Sequence, residues 1–470
     1  NTCKRILAYG YRNSILTRLR ILFLCVFSPI LNLSKGFFAK NKNFPGFICI
    51  FVPSDMRQLL FILLLACLLP LSAQPTREGK AIYIPEELRD NDFNDPESKW
   101  SYSRMAETPN VVCFWEKGFG NDLSKAPDLD GHKMTVDLGN LLSRLEYFYQ
   151  VYRDMMRFTL AGSKAERYKM MVMLNYSLEG TAYGGSYDDE IGALWIAPNR
   201  VQDRRLNCIA HELGHSFQIQ VACDGEGKGI GGGFYEMASQ WMLWNVNPEW
   251  PTDENYHWKA FIKDANLRFL AAENIYRSPY MLEYWSMKHG LGVIADLFRA
   301  GDHGEDPAAT YMRLFHLSTE DFAREAVDCY SRLLTFDFPG KHSMNKRYAG
   351  EFLNDKPLQT FGANVMEIQS SKFKIQKGGR LKVKFTGNKE KGYAYRLVAV
   401  NNEAEATYGD ICTQTKGTAT LDLPTDARHI YLVVTGYPLD GYKPYTFNPY
   451  HRNSKAETPV TYEYSLKIEK

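Results

Sequence analysis

Cys208-Ile209-Ala210-His211-Glu212-Leu213-Gly214-His215-Ser216-Phe217 is the stretch from which the rest of the chain is read. Two histidines stand four residues apart, and a glutamate follows the first. On an α-helix, residues four apart lie one above the other on the same face, so both imidazoles can aim at one ion. Glu212 can then lean over the coordination position that remains. A catalytic zinc site takes three protein ligands and a water, and a nearby carboxylate deprotonates that water. Leu206, Ala210, Leu213 and Phe217 follow helical spacing and predict a core-facing stripe. Gly214, an interior glycine costing roughly 1 kcal/mol against alanine, asks for a reason such as close packing.

The N-terminal segment reads differently. Residues 1–55 carry eight Lys/Arg against Asp55 alone, in an aromatic and apolar background unlike a folded domain. From Met56 the pattern is that of a secretory signal peptide over 56–73: a basic start at Arg57, the apolar run Leu59 to Leu71, and Ser72-Ala73 as a small-residue cleavage site. The reading is that 1–55 is a non-native upstream extension, that the working chain begins near Gln74, and that it is secreted or periplasmic. Leu64-Leu65-Ala66-Cys67 also resembles a lipoprotein box, so anchoring through Cys67 is the alternative. The apolar run is too short for a stable transmembrane segment.

Of 56 basic and 54 acidic residues, the stretch 1–73 holds nine and one, leaving 47 against 53. That balance carries no nucleic-acid footprint. Cys113, Cys208, Cys223, Cys329 and Cys412 remain, widely spaced and odd in number, which excludes a disulfide-stapled miniprotein and a cysteine zinc site. On an unbroken helix Cys208 and Cys223 would sit roughly 22 Å apart, beyond bridging distance.

In the remaining chain, 110–115 predicts a strand. Leu138 to Met156 predicts a core helix, 168–176 a strand, 179–190 a turn or loop, and 191–197 another strand, leading into the pentad helix. The glycine-rich run 225–233 lacks a phosphate-binding ending. A second helix follows at 234–241, and its acidic residue is Glu236. A metzincin would need glycine at 218 and histidine at 221, where this chain has Gln218 and Val221. The other common third ligand is a glutamate on a following helix. Glu236, 21 positions after His215, fits it if the two helices run antiparallel.

Across Ile191 to Trp244 these residues resemble the gluzincin metallopeptidases: a strand taken as an edge, the pentad helix, a connection and a glutamate helix. Residues 280–290 and 294–298 resemble the downstream helices of secreted gluzincin-like bacterial proteins. The resemblance implies an α+β metallopeptidase domain, a small sheet with the active-site helix and then a helical subdomain. It also implies Zn²⁺ on His211, His215 and Glu236, with Glu212 as catalytic base. The substrate would be a peptide or glycoprotein. In that family an aspartate often orients a metal-bound histidine from four residues past the glutamate; here Gln240 stands there. An oxyanion-stabilising residue is expected from Tyr276, Tyr280 or His289. The edge strand 191–196 would hold an extended peptide.

Residues 258–336 are helical by pattern. His257, His289, His303, His316 and His342 are scattered in and beside this stretch and read as non-ligands. From Leu358 the texture alternates, and six short strands predict an all-β sandwich over 355–470, after a metallopeptidase-like domain over 74–350. The tyrosine-rich loop 437–450 could stack sugar rings, giving a possible glycan at this C-terminal domain. The rival reading of the whole is a non-catalytic glycan- or protein-binding protein on the same scaffold. Retention of Glu212 favours the enzyme.

Overall fold

The pentad helix lies against a five-stranded sheet. The computed structural model describes residues 79–469 apart from 231–232, 342–343, 369–377 and 446–457. The expectations for 1–73, for a strand at 373–375 and for the far end of the tyrosine loop fall outside the described residues. Strands β1 (Met105–Glu107), β2 (Val111–Trp115), β3 (Met170–Leu174), β4 (Ala182–Tyr187) and β5 (Ile191–Ile196) are arranged in the order β1-β2-β3-β5-β4. β2, β3 and β5 run parallel, while β1 and β4 pair antiparallel at the two edges. β2 and β3 are buried along their whole length, which is why they read as unbroken apolar runs.

Two expectations are corrected here. The segment 179–190 is not only a loop, because it contains β4. Strand 191–196 is not an edge, because β4 covers it on the side away from β3. Gly184-Gly185 lowers the local strand propensity, so the strand forms through its pairing with β5. Asp188 and Asp189, both left-handed at φ 51° and 53°, turn the chain between the two.

Helix α1 (Leu138–Gln150) continues into a π-helical turn, Val151–Met155. The wider turn rotates the side chains out of the 3.6-residue register, so Met155 is exposed although Tyr152 and Met156 on either side are buried. Helix α2 (Asn207–Cys223) carries the pentad and α3 (Gly233–Val246) carries Glu236. Phe217 of α2 meets the edges of Tyr149 and Tyr152 at ring distances of 4.9 and 5.5 Å. Helices α4 (Tyr256–Asp264), α5 (Tyr280–His289), α6 (Val293–Ala300), α7 (Pro307–Leu314) and α8 (Thr319–Leu333) follow.

The chain then turns to strands β6 (Leu358–Gln359), β7 (Asn364–Glu367), β8 (Arg380–Gly387), β9 (Gly392–Val400), β10 (Ala406–Tyr408), β11 (Lys416–Asp422), β12 (His429–Tyr437), β13 (Thr461–Tyr462) and β14 (Tyr464–Glu469). They make a sheet β10-β9-β12-β7, a sheet β11-β8-β14 and the short pair β13-β6. β9 is buried on both faces. Tyr395, Leu397 and Ala399 share one apolar cluster with Leu381, Val383 and Phe385 of β8. Ala394, Val398 and Val400 instead join the larger core that contains Leu213 and Phe217. Asp328 on α8 pairs with Arg396 of β9 at 2.5 Å on that side. The whole is mixed α/β with several sheets, and Glu78–Lys470 forms one compact unit.

Candidate metal centre

Helix α2 is fastened to the sheet by polar side chains one turn apart. The backbone N–H of Gly184 donates to Glu212 Oε2 at 3.1 Å, Ser216 Oγ donates to the Ala193 carbonyl at 2.7 Å, and the Gly192 N–H donates to Gln220 Oε1 at 2.8 Å. Residues 212, 216 and 220 form one stripe facing β4 and β5. The approach is close: a Cβ on Gly184 would stand 1.8 Å from the carbonyl oxygen of Glu212. On another face of the helix, a Cβ on Gly214 would meet Ser239 Oγ at 2.9 Å. Gly214 is therefore a point of close approach between α2 and α3, which supplies the close packing it required.

That contact brings α3 beside both histidines. Glu236 Oε2 lies 3.0 Å from His211 Nε2 and 3.2 Å from His215 Nε2, and the two Nε2 atoms are 3.1 Å apart. Among the described residues, His211, His215 and Glu236 are the one group of three or more His, Cys, Asp or Glu residues converging closely enough to hold a metal ion. Of the histidines read as non-ligands, His257, His289, His303 and His316 are not part of this group, and His342 lies outside the described residues.

Two glutamines orient the imidazoles. His211 Nδ1–H donates to Gln240 Oε1 at 2.9 Å, and Gln240 Nε2 donates to the Tyr276 carbonyl at 2.8 Å. His215 Nδ1–H donates to Gln218 Oε1 at 3.1 Å, and Gln218 Nε2 donates to the Tyr235 carbonyl at 3.1 Å and to Ser239 Oγ at 2.9 Å. Each amide thus holds one histidine in the tautomer that leaves Nε2 with a lone pair. Two such lone pairs and a carboxylate oxygen then face one another. Three acceptors at this distance repel unless a proton or a cation lies between them, so the donor set fits a divalent metal.

Burial and pairing act against each other on the ionisable groups. Burial pushes Glu236 up, but when protons on His211 and His215 lie between the three groups, their hydrogen bonds outweigh it and hold the carboxyl well below the usual range. Burial pulls His215 down, and the bond and charge of Glu236 reverse this to a net upward shift. Glu212 is half-buried one turn from Cys208, whose thiol burial pushes up to about 11.

The three residues expected to include an oxyanion donor separate clearly. Tyr276 stacks over His211 with ring centroids 6.0 Å apart and an interplanar angle of 24°, and is 40% exposed. Tyr280 is buried between Trp244, Trp258 and Phe261. His289 bonds the Tyr311 hydroxyl at 2.8 Å and stacks on Phe315, and burial lowers its pKa. Only Tyr276 of the three touches the histidines. Gln218, Ser239, Ser216 and Gln220 were not singled out as site residues from sequence. For Gln218, Ser216 and Gln220 the signal is helical spacing, since each sits three or four positions from His215 or from the next bond of the stripe; Ser239, which bonds Gln218 from the facing helix, carries no such signal.

The five described cysteines are all free, and α2 runs unbroken from Asn207 to Cys223, so Cys208 and Cys223 stay apart. No helix among the described residues is long and apolar enough to cross a membrane.

Residues 74–470 match the family DUF6055, a family of unknown function. The chain belongs to this family. No curated protein matches the sequence of this DUF6055 member. Among solved structures, it is similar to the catalytic module of the metalloprotease ZmpA from Clostridium perfringens, at 12% identity over 75% of this chain and 69% of that one, with a TM-score of 0.33. It is also similar to a metallopeptidase from Bacteroides thetaiotaomicron, at 12% identity over 80% of this chain and 70% of that one, with a TM-score of 0.26.

Proposed function

We propose that this DUF6055 protein is a zinc-dependent metallopeptidase of the gluzincin type, cleaving peptide bonds of extracellular proteins or glycoproteins. The observation that carries the reading is the convergence of His211 Nε2, His215 Nε2 and Glu236 Oε2 within 3.0–3.2 Å, beside a glutamate held at an open strand edge. Ligand atoms around a tetrahedral zinc ion at 2.0–2.1 Å stand about 3.3 Å from one another, close to this spacing. When bound, zinc supplies Lewis-acid polarisation of the scissile carbonyl and acidifies a water.

The protein's own groups do the rest. Glu212 takes a proton from the attacking water and passes it to the leaving amine. Its orientation is set by the Gly184 N–H. The open edge of β4 offers backbone groups to an extended substrate by strand addition. Tyr276, projecting beside His211, donates its hydroxyl to the oxygen that gains charge at the carbonyl. The proposal includes export by the segment 56–73, a metallopeptidase domain over 74–350 and a sandwich over 355–470. The tyrosine-rich segment that follows β12 is its glycan contact.

Metal analysis of the purified chain together with Glu212→Gln tests this. Stoichiometric zinc in both proteins, with proteolysis in the parent alone, is expected. Absence of zinc at neutral pH, or unchanged proteolysis in the variant, sinks the reading.

A further inference from the structure

The sheet β11-β8-β14 turns a cationic face to solvent. On β8, exposed Arg380, Lys382 and Lys384 alternate with buried Leu381, Val383 and Phe385. The register sets Lys467 of β14 and Thr418 of β11 on either side of Lys384. Glu469 and Thr420 flank Lys382 in the same way, and Ser465 and Lys416 flank Thr386. No apolar side chain interrupts this grid. Lys384 pairs with Glu469 at 2.5 Å and Arg380 with Asp422 at 3.7 Å. Lys382, Lys416 and Lys467 form no ion pair among the described residues, so the face keeps a surplus of positive charge. The chain from Gln74 onward has the opposite balance, 47 basic residues against 53 acidic.

Two features separate this face from ordinary solvated surface. Lys384 and Lys467 stand directly opposite each other on neighbouring strands, an arrangement that destabilises a sheet. Cations on edge strands deter edge-to-edge pairing, but Lys382 and Lys384 lie on the central strand, whose two edges are already covered. Their position there is explained by a partner that neutralises them.

We propose that this face docks an acidic polysaccharide, an extended sugar chain bearing repeated carboxylate or sulfate groups. Its cations form a lattice, about 7 Å apart along β8 and about 5 Å across to β14, which suits a polymer rather than a single small anion. The threonine and serine hydroxyls between them match sugar hydroxyls. The grid presents no apolar wedge that could anchor it in a bilayer and no aromatic ring on which a base could stack.

Binding of the full chain to heparin, a sulfated glycosaminoglycan, tests this, with neutral dextran, duplex DNA and phosphatidylserine vesicles for comparison. Heparin binding that weakens as salt rises, and no dextran binding, are expected. The double variant Lys382→Glu/Lys467→Glu should bind heparin about tenfold more weakly or worse. Glu469→Gln, which releases Lys384, should bind more tightly, and a folding defect cannot imitate that gain. The proposal is overturned if heparin fails to bind at low salt, if both variants bind like the parent, or if DNA or vesicles bind more tightly than heparin.

Discussion

Gly184 and Glu212 are joined by a 3.1 Å hydrogen bond that runs from the backbone of the sheet's edge strand to the side chain one position past the first histidine of the metal centre. The same glycine presses on the helix so closely that an added Cβ would overlap the Glu212 carbonyl. Backbone, not a flexible side chain, would have to move. Gly184→Ala is therefore expected to cost about 1–3 kcal/mol or more and to displace Glu212 from the strand. A denaturant melt reads the first effect. Proteolytic kcat should fall further than the loss of folded protein explains; a variant with parental stability would show that α2 and β4 are less tightly apposed.

The paired glutamines lead to a second expectation. Gln240→Leu removes the acceptor for His211 Nδ1–H and also the donor to the Tyr276 carbonyl; Gln218→Leu does the equivalent for His215 and Tyr235. Loss of such an outer partner typically weakens metal binding 10–100-fold. Competition with a chromophoric chelator measures this without reference to turnover. Parental affinity in both variants would mean that the imidazoles are oriented by packing alone. Because the His215 pKa is raised in the metal-free site, the proton must leave as metal enters. Affinity is expected to increase with pH through that pKa and then level off.

The centre was legible in the sequence because its geometry is local. His211 and His215 share a helical face by spacing alone, and Glu236 is the acidic residue on the next helix. Gln240 could be named from its offset to Glu236. What supports these residues was not legible. β4 contains Gly184-Gly185, poor strand formers, and exists because β5 pairs with it; strand propensity computed over neighbours cannot register that. Ser216 and Gln220 read as ordinary helix residues until β5 is placed beneath them. The core helix expected through Met156 ends in a π-helical turn that periodicity does not announce, and Met155 is exposed there. β8 alternates visibly, whereas β9 and β12 are buried along nearly their whole length and do not, and β6, β7 and β10 are too short to show a period.

Lys80 gives a prediction in a different part of the fold. Its Nζ donates to Asn110 Oδ1 at 2.5 Å and to the Tyr149 hydroxyl at 3.0 Å. Burial and then the charge of Arg153 lower its pKa from 10.5 to about 8. The folded pKa lies below the unfolded one, so between about pH 8 and 10.5 the unfolded chain binds the extra proton. Stability from this group therefore rises with pH across that window. Lys80→Met should remove the rise. The quantity to compare is the difference between variant and parent in urea melts at pH 7.5, 8.5 and 9.5, about two points within the window and one below it. A constant difference would place the Lys80 pKa outside this range.

Tyr276 and Tyr280 are four residues apart and offer a paired test of which hydroxyl serves the reaction. Tyr276 stacks on His211 and is partly open to solvent, whereas the Tyr280 hydroxyl is buried without a hydrogen-bond partner among the described residues. Removing a hydroxyl that donates to developing charge typically lowers kcat by about 10²–10³ and leaves ground-state binding largely intact. Tyr276→Phe keeps the ring over His211, so zinc content and KM should stay near those of the parent while kcat drops. Tyr280→Phe deletes an unsatisfied buried polar atom. It should leave kcat unchanged and raise stability by about 1 kcal/mol. Equal kcat in Tyr276→Phe and parent would remove Tyr276 from the mechanism. A drop confined to Tyr280→Phe would mean that the helical layer rearranges when substrate binds.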